Sequence, residues 1–267
     1  MGYNDTFERK EVKYRLDAAQ ARVVREALLR HGMAPDDFGR TTVTSTYYDT
    51  RDRSLIARSL EKPLYKEKLR LRTYGARTGA STVFVELKKK YDGVVYKRRV
   101  AVSHEAARLM MAGVPYECAV TRRPAADELA AADALRPHSC QIAAEIAAFV
   151  SRYRPLYPSM DIACERVAWA PREGSPRPAD AAGLRVTFDE RIRYRDLRDP
   201  SRPRLARALL GAGEVVVEVK AAGAYPLWLA HALGSCGAYP TSFSKYGAAY
   251  EACLAPREPV ALALAAS

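Results

Sequence analysis

The sequence has few of the residues that build disulfide frameworks, zinc sites or histidine-based centres. It contains five cysteines and four histidines, and no two cysteines form a Cys-x-x-Cys pair. An odd number of scattered cysteines argues against a disulfide framework or a thiolate zinc site and indicates a reducing compartment. No histidine has a cysteine or another histidine at metal-ligand spacing, so we interpret the histidines as structural or surface residues.

Long apolar runs and two common functional motifs are also absent. No uninterrupted apolar stretch reaches the roughly 18 residues that a membrane-spanning helix needs. The opening residues MGYNDTFERK carry no apolar secretory segment. The chain contains neither a Gly-x-x-x-x-Gly-Lys-Ser/Thr phosphate loop nor a Gly-x-Ser-x-Gly elbow. We therefore expect a soluble, cytoplasmic protein without a transmembrane segment.

Positive charge is what the sequence has in excess. Among its 267 residues, 43 Lys and Arg stand against 31 Asp and Glu, which gives a formal net charge of +12. The hydrophobic fraction of 48% is sufficient for a folded core. Such a charge imbalance predicts an anionic partner, such as nucleic acid, a phosphorylated metabolite or an acidic membrane surface.

Eight segments alternate polar and apolar residues with the period of two that predicts β-strands. Asp92-Gly93 between two of them is a hairpin signal. The segments are Arg9–Leu16, Thr42–Asp49, Leu64–Tyr74, Thr82–Lys90, Val94–Val102, Asp161–Ala170, Leu184–Tyr194 and Glu214–Ala221.

Helical patterns lie between these strands. Asp17 has the chemistry of an N-cap for a helix that continues to His31 and ends at Gly32. Further helices are predicted after Ser103, within Ala125–Val150 with an interruption at Arg136-Pro137, over Pro226–Leu233 and over Tyr246–Leu254. The Pro- and Gly-rich segment 170–183 predicts a loop. We predict an α+β fold whose antiparallel sheet can close into a barrel, with one domain over residues 1–256 and a C-terminal tail over 257–267.

The stretch KEKLRLRTYG, residues 66–75, places three cations on one face of a strand. Lys68, Arg70 and Arg72 are two residues apart, and side chains alternate between the faces of a strand. Taken alone, this pattern indicates a solvated face. Similar charged faces recur in Glu11 with Lys13, Glu86 with Lys88, Lys97 with Arg99, and Glu218 with Lys220.

Repetition over five strands favours a functional interpretation of these faces. If they point inward, unpaired cations in a dry interior would be very costly. A polyanion neutralises the cations, and a divalent metal held by the carboxylates neutralises the acidic side chains. Lys68, Arg70 and Arg72 are therefore interpreted as a row of phosphate-binding residues.

The ordered set of motifs resembles the VTC-type (vacuolar transporter chaperone) polyphosphate polymerase domain, a branch of the triphosphate tunnel metalloenzymes. The resemblance implies a closed, eight-stranded antiparallel tunnel in which the γ-phosphoryl group of ATP passes to a growing polyphosphate chain. It also implies a divalent metal ion, manganese or magnesium. The matching segments are Glu11–Tyr14, Ser45–Asp49, Lys68–Arg72, Glu86–Lys88, Lys97–Arg99, Glu165–Arg166, Arg185–Asp189, Glu218–Lys220 and Phe243–Tyr246.

The resemblance implies roles for individual residues. The catalytic phosphate ligands would be Lys13, Arg70, Arg72, Lys88, Arg166 and Lys245. Further phosphate-binding residues would be Lys68, Lys97, Arg99, Arg185, Lys220 and Ser244. Glu218 is the predicted metal ligand, while Glu86 and Glu11 either join it or orient neighbouring lysines by ion pairing. The expected partners are ATP and inorganic polyphosphate, without nucleic acid, and any membrane coupling would come from a separate protein.

Three features depart from the family pattern. Cys164 stands where a tyrosine is common, and Ser242 stands where a further basic residue can occur. The amino-terminal motif has one carboxylate aligned with Lys13, where other tunnel enzymes have two or three. These departures concern the binding of the nucleotide and the number of metal ions, and we do not expect Cys164 to act as a nucleophile. Three functions stay open at this point: a polyphosphate polymerase, a hydrolase of triphosphate or short polyphosphate, and a non-catalytic binder of polyphosphate or nucleic acid.

Overall fold

The computed structural model describes residues 10–75, 81–92, 94–172, 181, 183–199, 206–221 and 223–254. Within them, an antiparallel sheet of ten strands is accompanied by eight helices. The strands are β1 (Lys10–Leu16), β2 (Met33–Asp49), β3 (Tyr65–Tyr74), β4 (Thr82–Tyr91), β5 (Val94–Ser103), β6 (Tyr157–Pro171), β7 (Arg185–Asp196), β8 (Arg207–Ala208), β9 (Val215–Ala221) and β10 (Pro240–Thr241). The helices are α1 (Ala18–Arg30), α2 (Ser54–Leu60), α3 (His104–Met111), α4 (Tyr116–Arg122), α5 (Glu128–Ala134), α6 (Pro137–Arg152), α7 (Leu227–Ser235) and α8 (Lys245–Leu254).

The strands follow the order β10-β1-β9-β7-β6-β2-β3-β4-β5, with β8 beside β7. This arrangement confirms the predicted α+β class and the antiparallel sheet. The closed, eight-stranded barrel is not found, because the order has two ends and no ladder joins β5 to β1 or β10 in the described part of the chain. One physical reason is that β10 takes the outer edge of β1 at Lys13 and Tyr14.

Two apolar clusters cover one face of the sheet, which we call the outer face. Leu69 and Leu87 of β3 and β4 pack with Phe149 of α6, in the cluster formed with α3–α6. Val217 of β9 packs in a second cluster with Leu28 of α1 and with residues of α7. Because apolar side chains alternate with polar ones along these strands, burial of the outer face directs the charged side chains to the opposite, inner face.

A third apolar cluster occupies part of the inner face. Tyr246 and Ala249 of α8 pack there with Tyr47 of β2 and with Met160 and Ile162 of β6. Tyr47 and Tyr246 stack with their ring centroids 4.5 Å apart. The helix therefore fills one region of the inner face and brings its own N-terminus close to the charged strands.

The helix ends explain which helices the sequence could predict. Asp17 caps α1 as expected, since its side chain accepts a hydrogen bond from the Gln20 amide at 2.8 Å and the Gln20 side chain accepts one in return from the Asp17 amide. Gly32 follows the helix with a φ of 70°. In contrast, α2 and α4 were not predicted. Both are seven residues long and begin without a side-chain cap hydrogen bond, so the sequence offers no start signal.

Three predicted features lie outside the described residues. They are Gly93 of the hairpin signal, most of the 170–183 loop and the tail over residues 257–267. Among the helices that are described, none has the length and apolarity required to cross a membrane.

Candidate functional site

Strand register brings the cations of β3, β4 and β5 together on the inner face. Lys68 of β3 lies directly opposite Lys88 of β4, which lies opposite Lys97 of β5. On the neighbouring line, Arg70 lies opposite Glu86. Directly opposed residues project to the same face of a sheet, so these predicted site residues form one continuous surface.

The other half of the sheet supplies a second charged surface. Glu218 of β9 lies opposite Lys13 of β1, and Glu11 lies opposite Lys220. Arg166 of β6 lies opposite Asp189 of β7. The two halves are linked at the start of α8, since Lys68 Nζ of the first contacts Ser244 Oγ, and the next residue, Lys245, contacts Asp189 of the second.

Glu86 is the centre of the first half. Its side chain is 1% exposed, and Arg70 donates to its Oε2 atom from Nε at 2.7 Å. Lys97 Nζ lies 2.6 Å from Oε1, and Arg72 Nε lies 3.7 Å from Oε2. Burial alone would raise the pKa of Glu86, but the charges of Arg70, Arg72 and Lys97 lower it to about 2. Glu86 is therefore ionised and fixes the three cations in place.

Asp189 plays the equivalent part in the second half, and the sequence analysis did not assign it to the site. Arg166 donates to both of its carboxylate oxygens, at 2.6 and 2.7 Å, and Lys245 also contacts Oδ2. Burial would raise the pKa of Asp189, but Lys245 and Arg166 lower it well below its ordinary value. Asp189 is two residues from Thr187 and four from Arg185 on β7, and residues at these spacings share one face of a strand. This spacing was the sequence signal for its position on the charged face.

Glu218 and Glu11 form a looser ion-pair cluster with two lysines. Lys220 Nζ is 2.6 Å from one Glu218 oxygen and 4.0 Å from Glu11. Lys13 Nζ is 3.5 Å from Glu11 and 4.0 Å from Glu218. Burial opposes ionisation of Glu218, whereas Lys220 and Lys13 lower its pKa to about 2. The two carboxylates are thus shared between the same two lysines.

This cluster suits a hard divalent cation better than Glu86 does. Such ions are commonly held by one or two carboxylates together with substrate phosphate oxygens, which are the donors that Glu11 and Glu218 would complete. The described residues contain no group of three or more His, Cys, Asp and Glu side chains able to hold a metal, so phosphate oxygens would be needed. Both oxygens of Glu86 already contact cations, which favours the ion-pairing alternative for that residue.

Lys68 and Lys88 are cations without a carboxylate at ion-pair distance in the described parts of the chain. Lys68 Nζ donates to Ser244 Oγ at 3.0 Å. Its pKa is lowered to about 8, first by burial and then by Lys66, Lys88 and Lys13. Burial also lowers the pKa of Lys88. Lys68 and Lys88 lie opposite each other, and burial weakens the affinity of each for its proton. A bound anion would favour the protonated form of both, so the pair is suited to anion binding.

The N-terminus of α8 places Ser244 and Lys245 in this site. Ser244 caps the helix, since its Oγ accepts from the Gly247 amide at 3.2 Å. The Tyr246 hydroxyl lies 2.7 Å from Asp49 Oδ2 and 3.0 Å from Ser159 Oγ. These buried hydrogen bonds anchor the first turn of α8, so the positions of Ser244 and Lys245 follow from long-range packing.

The remaining candidate residues lie at the margins. Arg185 donates to Asp36 at 2.8 Å and is half exposed, while the Arg99 guanidinium lies 4.8 Å from the centre of the Phe84 ring. Ser242 is exposed. Cys164 is buried in the apolar part of the inner face, where burial raises its pKa to about 11.

Tyr47 joins the apolar and charged regions of the inner face. Its hydroxyl accepts from Arg70 at 3.1 Å. Burial would raise the pKa of Tyr47, but Arg70, Arg72 and Lys68 lower it to about 8. The Tyr47 hydroxyl therefore contacts one edge of the Arg70 guanidinium group, and Glu86 contacts another.

Comparison with known proteins agrees with the pattern of residues. A family model described as the VTC domain matches residues 8–254. No curated protein matches the chain. A putative adenylate cyclase from Vibrio parahaemolyticus shares 10% identity over 91% of this chain and 97% of its own, with a TM-score of 0.44. A putative adenylyl cyclase from Hippeastrum, described as having a dominant triphosphatase activity, shares 12% identity over 91% and 95%, with a TM-score of 0.48. Both solved structures are too distant to carry a functional argument.

Proposed function

The chain belongs to the VTC domain family, and we propose that it is a metal-dependent polyphosphate polymerase. In this proposal, the γ-phosphoryl group of ATP is transferred to the end of an inorganic polyphosphate chain held on the basic inner face. The metal is manganese or magnesium. The activity and the residues that perform it extend beyond what membership of the family establishes.

The observation that carries the proposal is the surplus of half-buried cations on the inner face. Glu86, Asp189 and Glu218 each contact two or more cations, yet Lys68 and Lys88 oppose each other without a carboxylate partner in the described residues. A protein stabilised only by its own contacts would gain from neutralising such lysines. A chain of phosphates supplies the missing negative charge.

Phosphoryl transfer requires positioning and charge stabilisation more than covalent help from the protein. Arg70, Arg72 and Arg166 offer planar guanidinium groups that can bind two phosphate oxygens each. Lys88 and Lys245 add point charges where negative charge accumulates in the transition state. A divalent ion on Glu218 and Glu11 would neutralise phosphate oxygens and polarise the transferred group.

The carboxylates of the inner face favour a phosphate acceptor over water. A general base must be free to accept a proton, and it works best with a pKa near the operating pH. Both oxygens of Glu86 and both of Asp189 are engaged by cations, so neither side chain is available for that role. The terminal oxygen of polyphosphate is already anionic and needs no activation, whereas water needs a base or a metal ion that lowers its pKa.

Purified protein incubated with ATP and manganese, with products resolved on a polyphosphate gel, tests the proposal. We expect a ladder of long chains together with ADP. The double variant Arg70→Ala/Arg72→Ala should lower the rate by about a hundredfold or more, as removal of transition-state ligands does elsewhere. Glu218→Ala should raise the manganese concentration needed for half-maximal activity.

Arg98→Ala is the matched control. Arg98 lies between Lys97 and Arg99 on β5 but pairs with Glu145 on the outer face, so its loss should leave the rate within about twofold. Formation of ADP and free phosphate without a ladder would show that the protein is a hydrolase and not a polymerase. Tight polyphosphate binding without turnover in any divalent metal would indicate a binding protein.

A further inference from the structure

The row of inner-face cations continues beyond the residues assigned above. Lys66 of β3 lies directly opposite Lys90 of β4, one step outward from the pair of Lys68 and Lys88. Residues two apart on a strand share a face, so both pairs project from the inner face. Successive pairs are separated by two residues, or about 6.6 Å along the strands.

Exposure increases along this row. Along β4, Glu86 is buried and Lys88 is half-buried. Lys90 is exposed and Lys66 is half-buried. The row therefore runs from the enclosed centre of the site to solvent.

The outer pair is not neutralised by the protein. Lys66 Nζ donates to the Ser59 carbonyl at 3.1 Å, and across the described ranges neither Lys66 nor Lys90 has a carboxylate at ion-pair distance. Burial lowers the pKa of Lys66, and the charge of Lys90 opposite it lowers that pKa further.

Lys89 on the same strand shows the contrasting arrangement. It projects from the outer face and contacts Glu145 at 3.2 Å. Like charges directly opposite each other destabilise a sheet, and opposite charges stabilise it. The outer face of β4 thus has its lysine paired with an acid, while the inner face places lysine opposite lysine at two successive positions.

We propose that Lys66 and Lys90 form a second anion-binding site, which holds a stretch of linear polyphosphate outside the reaction centre. The identity of this ligand rests on the proposed function, whereas the basic row itself does not. A nucleoside triphosphate or a short inorganic triphosphate fills the enclosed cations and does not reach this site. A long chain extends from the centre to the outer lysines and gains contacts there.

The test compares binding of long-chain polyphosphate with binding of inorganic triphosphate, measured by calorimetry without turnover. Lys66→Gln/Lys90→Gln should bind the long chain about tenfold more weakly, with a shallower dependence on salt, because two phosphate contacts are lost. Its affinity for triphosphate should stay within about twofold. The control Lys89→Gln should bind both ligands like the unmodified protein.

Thermal unfolding verifies that the double variant is folded, and removal of like charges should leave its midpoint equal or higher. An equal loss of affinity for both ligands, no loss for either, or the same loss in Lys89→Gln would overturn the second site. The proposed function has a separate readout, which is the ladder from ATP. A protein that makes no ladder but shows the selective loss retains the site, and one that makes a ladder without the selective loss lacks it.

Discussion

Glu86 and Asp189 are buried to the same degree but are neutralised by different kinds of structure. The partners of Glu86 come from β3 and β5, the two strands that flank it. Asp189 receives Arg166 from the adjacent strand but Lys245 from α8, which is 56 residues away in the sequence. The first cluster follows from strand register alone, and the second also depends on how a helix docks.

Tyr47 connects these two clusters. Its hydroxyl contacts Arg70 of the Glu86 cluster, and its ring stacks on Tyr246, which follows Lys245 in the chain. A change in the docking of α8 would therefore alter the position of Lys245 directly and that of Arg70 indirectly. The half of the site around Glu86 is therefore fixed by the sheet. The half around Asp189 is adjustable, because it also depends on the docking of α8.

Glu86→Gln should produce the largest effect on the fixed half. It leaves Arg70 and Lys97 buried around a neutral side chain, so the free energy of unfolding should fall by about 3–5 kcal/mol. Urea denaturation measures this value. Glu145→Gln, which affects a partly exposed pair on the outer face, should cost about 1 kcal/mol or less. Equal losses in the two variants would show that the Glu86 cluster contributes no more than a surface pair.

Tyr246→Phe should produce a smaller effect that falls mainly on the adjustable half. Loss of the hydroxyl removes its contacts to Asp49 and Ser159, at a cost of about 1–3 kcal/mol. We expect the KM for ATP to rise more than kcat falls, because Ser244 and Lys245 become less well positioned. Tyr250→Phe, one turn later on α8, is the control and should change neither quantity. An unaltered KM in Tyr246→Phe would contradict the dependence of the site on helix docking.

The pH dependence of triphosphate binding should distinguish Lys68 from the arginines. The folded-state pKa of Lys68 is lowered to about 8, so affinity should fall as pH rises through 8, by at most about tenfold per unit. The ligand-free protein should instead become more stable between pH 8 and about 10.4, where the unfolded chain keeps a proton that the folded one has released. Calorimetry and urea denaturation at several pH values measure both trends.

Lys68→Arg is the control for this pH effect, because arginine stays protonated throughout the range. Its affinity should fall less steeply with pH than that of the unmodified protein, because Tyr47 and Lys97, whose pKa values are also lowered to about 8, still titrate. A steep fall in affinity in Lys68→Arg would assign the pH dependence to another group.

Cys164→Ser should have the smallest effect. The thiol is buried and its pKa is raised to about 11, so it is a poor nucleophile at neutral pH. Turnover should stay within about twofold, and iodoacetamide should modify the exposed Cys118 before Cys164. A hundredfold loss of turnover would show that the thiol takes part in the reaction.

The sequence predicted the sheet best where alternation was regular. Glu86 with Lys88, and Lys68 with Arg70, alternate cleanly with buried Leu69 and Leu87, so their common face was visible in advance. The start of β2 was missed because its pairing with β6 shifts register between Pro35 and Arg40. A bulge of this kind breaks the period of two on which the prediction depended.

The site was predicted less completely than the sheet. The role of Asp189 depends on Lys245, which approaches it through the packing of α8, and no spacing along the chain encodes that approach. The prediction of a closed barrel was also wrong. The edge of β1 is taken by β10, which is two residues long and therefore shows no periodicity in the sequence. Which strand borders β1 is decided by three-dimensional packing and cannot be read from local pattern.

The unpaired ends of the sheet have a consequence for any long polymer that binds the inner face. A complete ring of strands would admit such a polymer only by threading a free terminus through it. In the described strands, β5 and β1 are not joined by backbone hydrogen bonds, so the sheet itself does not impose this topological requirement.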